Sequence, residues 1–403
     1  MQNKKYYIEK GTKKFIAVTI SLFLAGFATF SILYCVQPIL FLLSQNFSLS
    51  PAQSSLSLSS STAMMAIGML FTGPLSDKIG RKKVMSSSLF LAAFFTFCCS
   101  KMNSWEHIIF MRALTGLALS GVAAVAMTYL SEEIHPNTLS FSMGLYISGN
   151  TIGGFSGRIL SSILAEKFSW KISLEWISIL AFVFAILFLY LLPSSKNFHS
   201  IALHPKKIFT YFIAQWKHPI VSKLFLMGFF LMGSFITVFN YVGYRLLLEP
   251  FFVSQETIGI LSIVYLIGVY SSPKAGILIE KYGEGRMLII SLVIMIVGLI
   301  ISQWNRIIII FLGLFLFSAG FFAAHSVTST CIGQQARNNR GYTSSIYLFS
   351  YYLGSSILGT ISGIFWTIGK WTGISTIVIV FLYIGIVLAI KLNYIIDNEN
   401  KLK

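Results

Sequence analysis

Charged residues are scarce in this chain of 403 residues. Asp, Glu, Lys and Arg together make up 11% of it, whereas hydrophobic residues make up 55%. A soluble domain contains roughly 25% charged residues, so this chain has too few to cover the surface of a soluble globule of its size. The composition therefore excludes a cytosolic enzyme, a secreted domain and a disordered protein, and it indicates an integral membrane protein.

Cysteine and histidine are also rare, with four and six copies. The cysteines lie in or beside apolar stretches, which indicates free thiols and not a disulfide framework. The histidines are scattered without the spacing of metal ligands, and no phosphate-binding loop or nucleotide motif is present. We therefore expect no enzyme activity, no catalytic residue, no metal site, no cofactor and no ATP-driven transport.

Long apolar runs replace the missing charge. A spanning helix needs about 20 apolar residues, and continuous runs of this length indicate helices, because barrel strands would alternate instead. The prediction is an all-α integral membrane protein whose twelve helices form two six-helix bundles. The predicted spans are about 15–43, 52–74, 84–100, 106–130, 138–164, 172–192, 223–247, 256–278, 287–303, 306–330, 342–366 and 372–392.

The net charge of +17 comes from 30 Lys and Arg against 13 Asp and Glu. If the N-terminus is cytoplasmic, 21 of these basic residues fall in the inner segments and six in the outer ones. Basic residues collect in cytoplasmic loops, so the bias predicts a multi-pass membrane protein with both termini in the cytoplasm. Topology thus accounts for most of the charge, and we expect no nucleic-acid partner.

The chain contains an internal repeat. A polar stretch, residues 193–222, is predicted to be a cytoplasmic central loop between an N-terminal bundle (1–192) and a C-terminal bundle (223–403). Residues 73–80 and 276–283 share the pattern Gly-x-Leu-x-acid-Lys-x-Gly, offset by 203 positions. Two repeated six-helix halves are the layout of a carrier whose substrate site lies between them near the midplane.

Residues 73–83, Gly-Pro-Leu-Ser-Asp-Lys-Ile-Gly-Arg-Lys-Lys, carry the strongest motif. Here the chain resembles the major facilitator superfamily, whose signature lies between spans two and three, and the twelve-span layout extends the resemblance over essentially the whole chain. The resemblance implies alternating access, with gating residues Gly73, Asp77, Gly80 and Arg81, and Glu280 and Gly283 in the second copy. The alternative is a plain positive-inside loop. The second copy of the motif is less complete, because Glu284 and Gly285 stand where the first copy has Arg81 and Lys82.

Arg112 lies in residues 110–116, a stretch that resembles the fourth-span motif of the family. A charge at helix depth costs about 2.5–3.5 kcal/mol on insertion scales, so it needs a partner or a wet cavity. The resemblance implies a role in proton coupling. The alternative is an arginine that reaches the outer interface along its aliphatic stem.

Residues 149–158 resemble the fifth-span signature of the drug:proton antiporters and arabinose-efflux-like proteins. Gly149, Gly153 and Gly157 recur every four residues and predict close helix packing. The stretch departs from the signature at Asn150, which stands where a proline is expected and is instead a candidate ligand contact.

Further polar residues are candidates for the substrate cavity. The full set is Tyr34, Gln37, Asn150, Arg158, Asn240, Tyr244, Arg245, Tyr347 and Tyr351. Each of these tyrosines could instead belong to the belt of aromatic residues at the membrane–water interface. The candidates for proton coupling are Arg112, His325 and Asp77. For His325, a role in a gate or as a core histidine with satisfied hydrogen bonds is an equally good interpretation.

None of the acidic residues lies at the centre of a predicted span, and Glu175 comes nearest. Exporters of cationic drugs use a buried carboxylate, so its absence beside Arg112 and Arg158 favours a neutral or anionic solute. The chain most resembles the export branch of the superfamily, which includes arabinose-efflux-like proteins. The resemblance implies a monomeric, lipid-embedded secondary transporter of the bacterial inner membrane that exports a small organic molecule by proton antiport. The alternatives are proton-coupled uptake of a nutrient, such as an organic anion or a sugar, and a transporter-like sensor that does not transport.

Overall fold

The computed structural model describes residues 7–198, 205–335 and 340–401, and these residues are almost wholly helical. The helices are α1 (Lys13–Tyr34), α2 (Leu40–Asn46), α3 (Pro51–Ile79), α4 (Arg81–Lys101), α5 (Trp105–Glu133), α6 (Pro136–Lys167), α7 (Trp170–Leu191), α8 (Pro205–Lys217), α9 (Pro219–Leu247), α10 (Gln255–Ile260), α11 (Gly268–Tyr282), α12 (Glu284–Ile301), α13 (Ile307–Gln335) and α14 (Arg340–Lys401). A 3₁₀ segment, Leu261–Ile267, joins α10 to α11. The prediction of an all-helical membrane fold is confirmed.

The long helices in the described part of the chain are consistent with twelve membrane crossings. Ten segments are long and apolar enough to cross a membrane, and one of them, residues 343–396, has the length of two crossings. That segment lies in α14, which is broken at Lys370, where φ is +50°. The remaining crossing is α6, whose 32 residues include many serines and glycines.

The first predicted span, 15–43, is not one continuous helix. It ends at Tyr34 and resumes as α2 after a break at residues 35–39. Pro38 explains the break, because proline has no N–H to donate to the carbonyl four residues earlier. Within the break, the Gln37 N–H donates to the Tyr34 carbonyl at 3.0 Å, one residue short of the helical register.

The contacts divide the chain into two compact units. The first contains residues 1–39 and 60–204, and the second contains residues 40–59 and 205–403. The boundary of the second unit differs from that of the predicted C-terminal bundle mainly in residues 40–59. Of the predicted central loop, residues 199–204 lie outside the described residues, and Pro205–Lys217 form α8.

The repeat seen in the sequence recurs inside each unit. In the first unit, Gly149 of α6 lies against the main chain of α1 at Phe23. In the second, Gly354 of α14 lies against the main chain of α9 at Phe229. These pairs are offset by about the same number of residues as the sequence repeat, so each unit uses a glycine at the equivalent place to bring two helices together.

Candidate functional site

Arg112 of α5 is fully buried at the break after α1. Its two terminal nitrogens donate to the carbonyl oxygens of Ile32, at 3.1 Å, and Leu33, at 2.8 Å. A helix end leaves such carbonyls without their usual donors, and here the guanidinium supplies them. With 0% of its surface exposed, Arg112 does not reach the interface, so its position supports a buried role and not the snorkelling alternative.

Arg158 of α6 lies on the other side of the same break. Its Nε donates to Gln37 Oε1 at 2.7 Å, and its Nη1 donates to the Gly154 carbonyl at 2.7 Å. The guanidinium carbon lies 4.2 Å from the ring centroid of Tyr34, which is the geometry of a cation–π contact. Three residues predicted to line the cavity, namely Tyr34, Gln37 and Arg158, are therefore brought together.

The glycine face of α6 is what allows α1 to approach so closely. A methyl group on Gly149, Gly153 or Gly157 would overlap the main chain of α1 at Phe23, Phe27 or Ser31. Small residues at a four-residue spacing permit this kind of backbone contact between membrane helices. The close approach places Arg158 within reach of the break.

Asn150 lies on α6, eight residues and about 12 Å before Arg158 along the helix axis. The Oδ1 atom of its side chain packs against Gly26 of α1. Within the described chain, the Oδ1 atom of Asn150 has no hydrogen-bond partner although it is buried from solvent.

An aromatic cluster in the second unit surrounds His325 of α13. The Nδ1 atom of His325 lies 2.9 Å from the hydroxyl of Tyr347, and its ring lies 4.8 Å from that of Tyr351. Phe321 stacks on the same imidazole at 6.0 Å and packs against Phe235 of α9 at 3.9 Å. His325, Tyr347 and Tyr351 are thus brought together, in a densely packed aromatic environment.

The three predicted cavity residues of α9 have separate surroundings. Asn240 is buried beside Gly359 of α14. The Tyr244 hydroxyl lies 2.6 Å from the Ser54 hydroxyl and donates to the Leu40 carbonyl at 3.1 Å. These two contacts belong to the second unit, which explains why residues 40–59 are grouped with it.

Arg245 contacts the chain that follows α12. It donates to the carbonyls of Ser302, Gln303 and Trp304, and to the side chain of Asn305. The guanidinium also lies 5.1 Å from the ring of Trp371. Cations favour the C-terminal ends of helices, so this arrangement satisfies the end of α12.

The predicted gating residues form a charge cluster at the junction of α3 and α4. Arg81 donates from Nη2 to Glu132 Oε1 at 2.7 Å and from Nε to Oε2 at 3.1 Å, and it pairs with Asp77. Gly80 has φ of +103°, a conformation that favours glycine. The pairing of Glu132 with Arg81 was not predicted, because nothing in the spacing of the residues links the end of span four to this loop.

The second copy keeps the turn but not the cluster. Gly283 has φ of +77°, which matches the left-handed turn at Gly80. Glu280 is exposed, and Glu284 stands where the first copy has Arg81. The glycine positions of the repeat are thus preserved in the structure, whereas the arginine at the centre of the first cluster has no counterpart.

Comparisons with known proteins agree with this architecture. The sequence profile of the Major Facilitator Superfamily matches residues 22–251 and 224–400. An uncharacterized transporter of Buchnera aphidicola subsp. Baizongia pistaciae (strain Bp) is 70% identical over 390 residues, which is 97% of each chain. The inner membrane transport protein YnfM of Escherichia coli (strain K12) is 53% identical over 387 residues, 96% of this chain and 93% of its own length.

Among solved structures, a bacterial homologue of the human lysosomal transporter Spinster, in an inward-facing and unoccupied conformation, has a TM-score of 0.79. It is 14% identical, and the match covers 95% of this chain and 98% of that one. A likeness at this identity concerns the fold alone.

Proposed function

The chain belongs to the Major Facilitator Superfamily, and from that premise we propose that it is a secondary active transporter of a small organic solute that is neutral or anionic. It lies in the bacterial inner membrane with both termini in the cytoplasm. It exports its solute in exchange for protons, and it opens its solute site to one side of the membrane at a time. It acts as a monomer.

The observation that carries the charge preference is the environment of Arg158. The contacts to Gln37, Gly154 and Tyr34 hold the guanidinium in place beside the break in α1, and all three are made with uncharged groups. A buried cation with low-dielectric surroundings attracts an anion far more strongly than a surface cation does. Arg158 is therefore our first candidate for contact with an anionic group of the solute.

The acidic residues support the same preference. Of the acids that the structure describes, Glu133 is the most buried, and it is the last residue of α5. Glu175, the nearest to a span centre, pairs with Lys101 at the ends of two helices. No carboxylate in the described spans thus lies where it could receive a cationic solute at mid-membrane.

Asn150 adds a second feature to the expected solute. Its free acceptor lies about 12 Å from Arg158 along α6, and both residues belong to the first unit. A solute with an anionic or electron-rich polar end and a hydrogen-bond donor at the other end would satisfy both side chains.

Protons are the proposed driving ion, with Asp77, His325 and Arg112 as the candidates. Asp77 is paired with Arg81 and its side chain is 28% exposed. The imidazole of His325 can accept or donate in its bond to Tyr347, depending on its protonation. Arg112 is held by two main-chain carbonyls. In this proposal it is a fixed positive charge that acts on neighbouring titratable groups.

Transport by purified protein in proteoliposomes tests the charge preference. We expect uptake of anionic or neutral members of a panel of small organic anions, sugars and cations, and a loss of at least about tenfold in anion transport for Arg158→Gln. Lys167→Gln is the matched control, since it removes one positive charge from the exposed end of the same helix. Transport of cations alone, or normal anion transport by Arg158→Gln, would overturn the proposal.

The direction of transport needs intact cells. A deletion strain is expected to become more sensitive to toxic anionic or neutral compounds and to grow normally on single nutrients. Impaired growth on one nutrient, with unchanged sensitivity, would instead support the uptake alternative. A protein that moves nothing in either assay would support the sensor alternative.

A further inference from the structure

The connector between α5 and α6 receives two segments from elsewhere in the first unit. The Ile8 N–H donates to the main-chain carbonyl of Glu133 at 2.8 Å, and the His135 N–H donates to the Ile8 carbonyl at 3.2 Å. Ile8 and Ile134 form a parallel bridge, and both are buried. This ladder fixes the N-terminal arm to one side of the connector.

The start of the central loop, residues 193–198, attaches to the same place, and we call this segment the strap. The backbone N–H groups of Lys196 and Asn197 both donate to Glu133 Oε1 at 2.8 Å. The side chain of Asn197 donates to the Glu132 carbonyl at 2.8 Å. Further back on α5, the Tyr129 hydroxyl donates to the Pro193 carbonyl at 2.9 Å. The strap is thus held at both ends.

Glu133 is the anchor of the strap. Only 1% of its surface is exposed, and burying a carboxylate is costly unless hydrogen bonds compensate it. Two main-chain N–H groups converge on one of its oxygens, and bonds to a charged acceptor are stronger than neutral ones. The carboxylate therefore has a geometric task, which is to hold two successive amides of the strap.

The strap ends on the gating cluster. The ring of Phe198 lies 5.7 Å from the guanidinium carbon of Arg81, and the Arg81 side chain is only 7% exposed. Arg81 in turn holds Glu132 with two hydrogen bonds. Two adjacent residues at the end of α5 consequently act on the same arginine, Glu132 directly and Glu133 through the strap and Phe198.

We propose that Glu133 is a positioning residue that seats the strap so that Phe198 covers Arg81 and keeps water from its pairs with Glu132 and Asp77. An exposed ion pair contributes little, whereas a shielded one is stronger. The strap is thereby part of the gating cluster and does more than connect α7 to the rest of the chain. This inference depends on the fold of the first unit and not on the identity of the solute.

Hydrogen–deuterium exchange of the full-length protein in lipid nanodiscs tests the proposal. Glu133→Leu removes the acceptor, so we expect the amides of the strap to exchange about tenfold faster, because two hydrogen bonds are lost, and the amides of residues 75–83 to exchange faster as well. Glu133→Gln retains an acceptor oxygen and is expected to restore protection in both segments. Ser194→Ala, an exposed position in the strap, is the control that should change neither.

Phe198→Ala keeps the test decisive if Glu133→Leu does not fold. It leaves the Glu133 bonds intact, so the strap should remain protected while residues 75–83 lose protection. Unchanged exchange of residues 75–83 in Phe198→Ala would overturn the proposal. So would equal exchange in Glu133→Gln and Glu133→Leu, because that result would assign Glu133 a role that needs its charge or its proton.

Discussion

Arg112, Arg158 and Arg245 are all buried, yet their guanidinium groups contact different kinds of acceptor. Arg112 and Arg245 donate to main-chain carbonyls at helix ends. Arg158 donates instead to the Gln37 side chain and to the Gly154 carbonyl within its own helix, and it lies on a tyrosine ring. The sequence could predict that each arginine needs a partner, because a buried charge is costly. It could not predict the partners, since they come from residues distant in the chain.

Replacing Arg112 should destabilise the fold. In Arg112→Leu the Leu33 carbonyl loses the guanidinium donor and the Ile32 carbonyl keeps only the weak thiol donor of Cys35, and a buried polar group without a partner costs about 1–3 kcal/mol. We expect a lower midpoint of thermal unfolding in detergent, together with loss of transport. Arg112→Lys should restore only part of the stability, because a single ammonium group cannot reproduce the planar fork. Wild-type stability in Arg112→Leu would show that the two hydrogen bonds contribute nothing.

Asp77→Asn tests the gating cluster. The substitution removes one of the two carboxylates that hold Arg81, so we expect transport to be abolished while expression and folding remain normal. Glu280→Gln is the matched control, because Glu280 occupies the equivalent place in a copy that lacks the arginine. It should retain most of the activity. Normal flux through Asp77→Asn would mean that residues 73–83 serve only as a topology signal.

At the scale of the helices, the glycine spacing predicted a packing contact, whereas the break caused by a proline was not predicted. The four-residue spacing of Gly149, Gly153 and Gly157 predicts a close helix contact, and these residues lie against the main chain of α1. The break at residues 35–39 was not predicted, although Pro38 was a visible signal for it. The 3₁₀ segment Leu261–Ile267 was also not predicted, because its residues are as apolar as those of a regular helix.

Gly153→Ala should show how tightly α6 packs on α1. The added methyl group would overlap the Phe27 main chain, and overpacking costs about 1–3 kcal/mol. Gly144→Ala is the control on the same helix, since no atom lies within 4 Å of the added methyl group. A lower unfolding midpoint is expected in the first variant and not in the second. Equal midpoints would indicate that the two helices separate without cost.

At the scale of the whole molecule, composition and the internal repeat were the features from which the fold was predicted. Scarce charge and long apolar runs were sufficient for an all-helical membrane protein, because lipid leaves few alternatives for the backbone. The repeated turns at Gly80 and Gly283 have matching left-handed conformations. The attachment of residues 40–59 to the second unit depends on contacts such as Tyr244 to Ser54, which no pattern in the sequence reveals.

The central claim is that this protein couples the movement of a neutral or anionic solute to protons. Its most direct test is solute flux in proteoliposomes across which a pH difference is imposed, with Asp77→Asn vesicles as the inactive reference. We expect solute to move in the direction opposite to the proton flow, to move faster with a larger pH difference, and to stop when a protonophore abolishes that difference. Flux that is the same with and without the pH difference would contradict it.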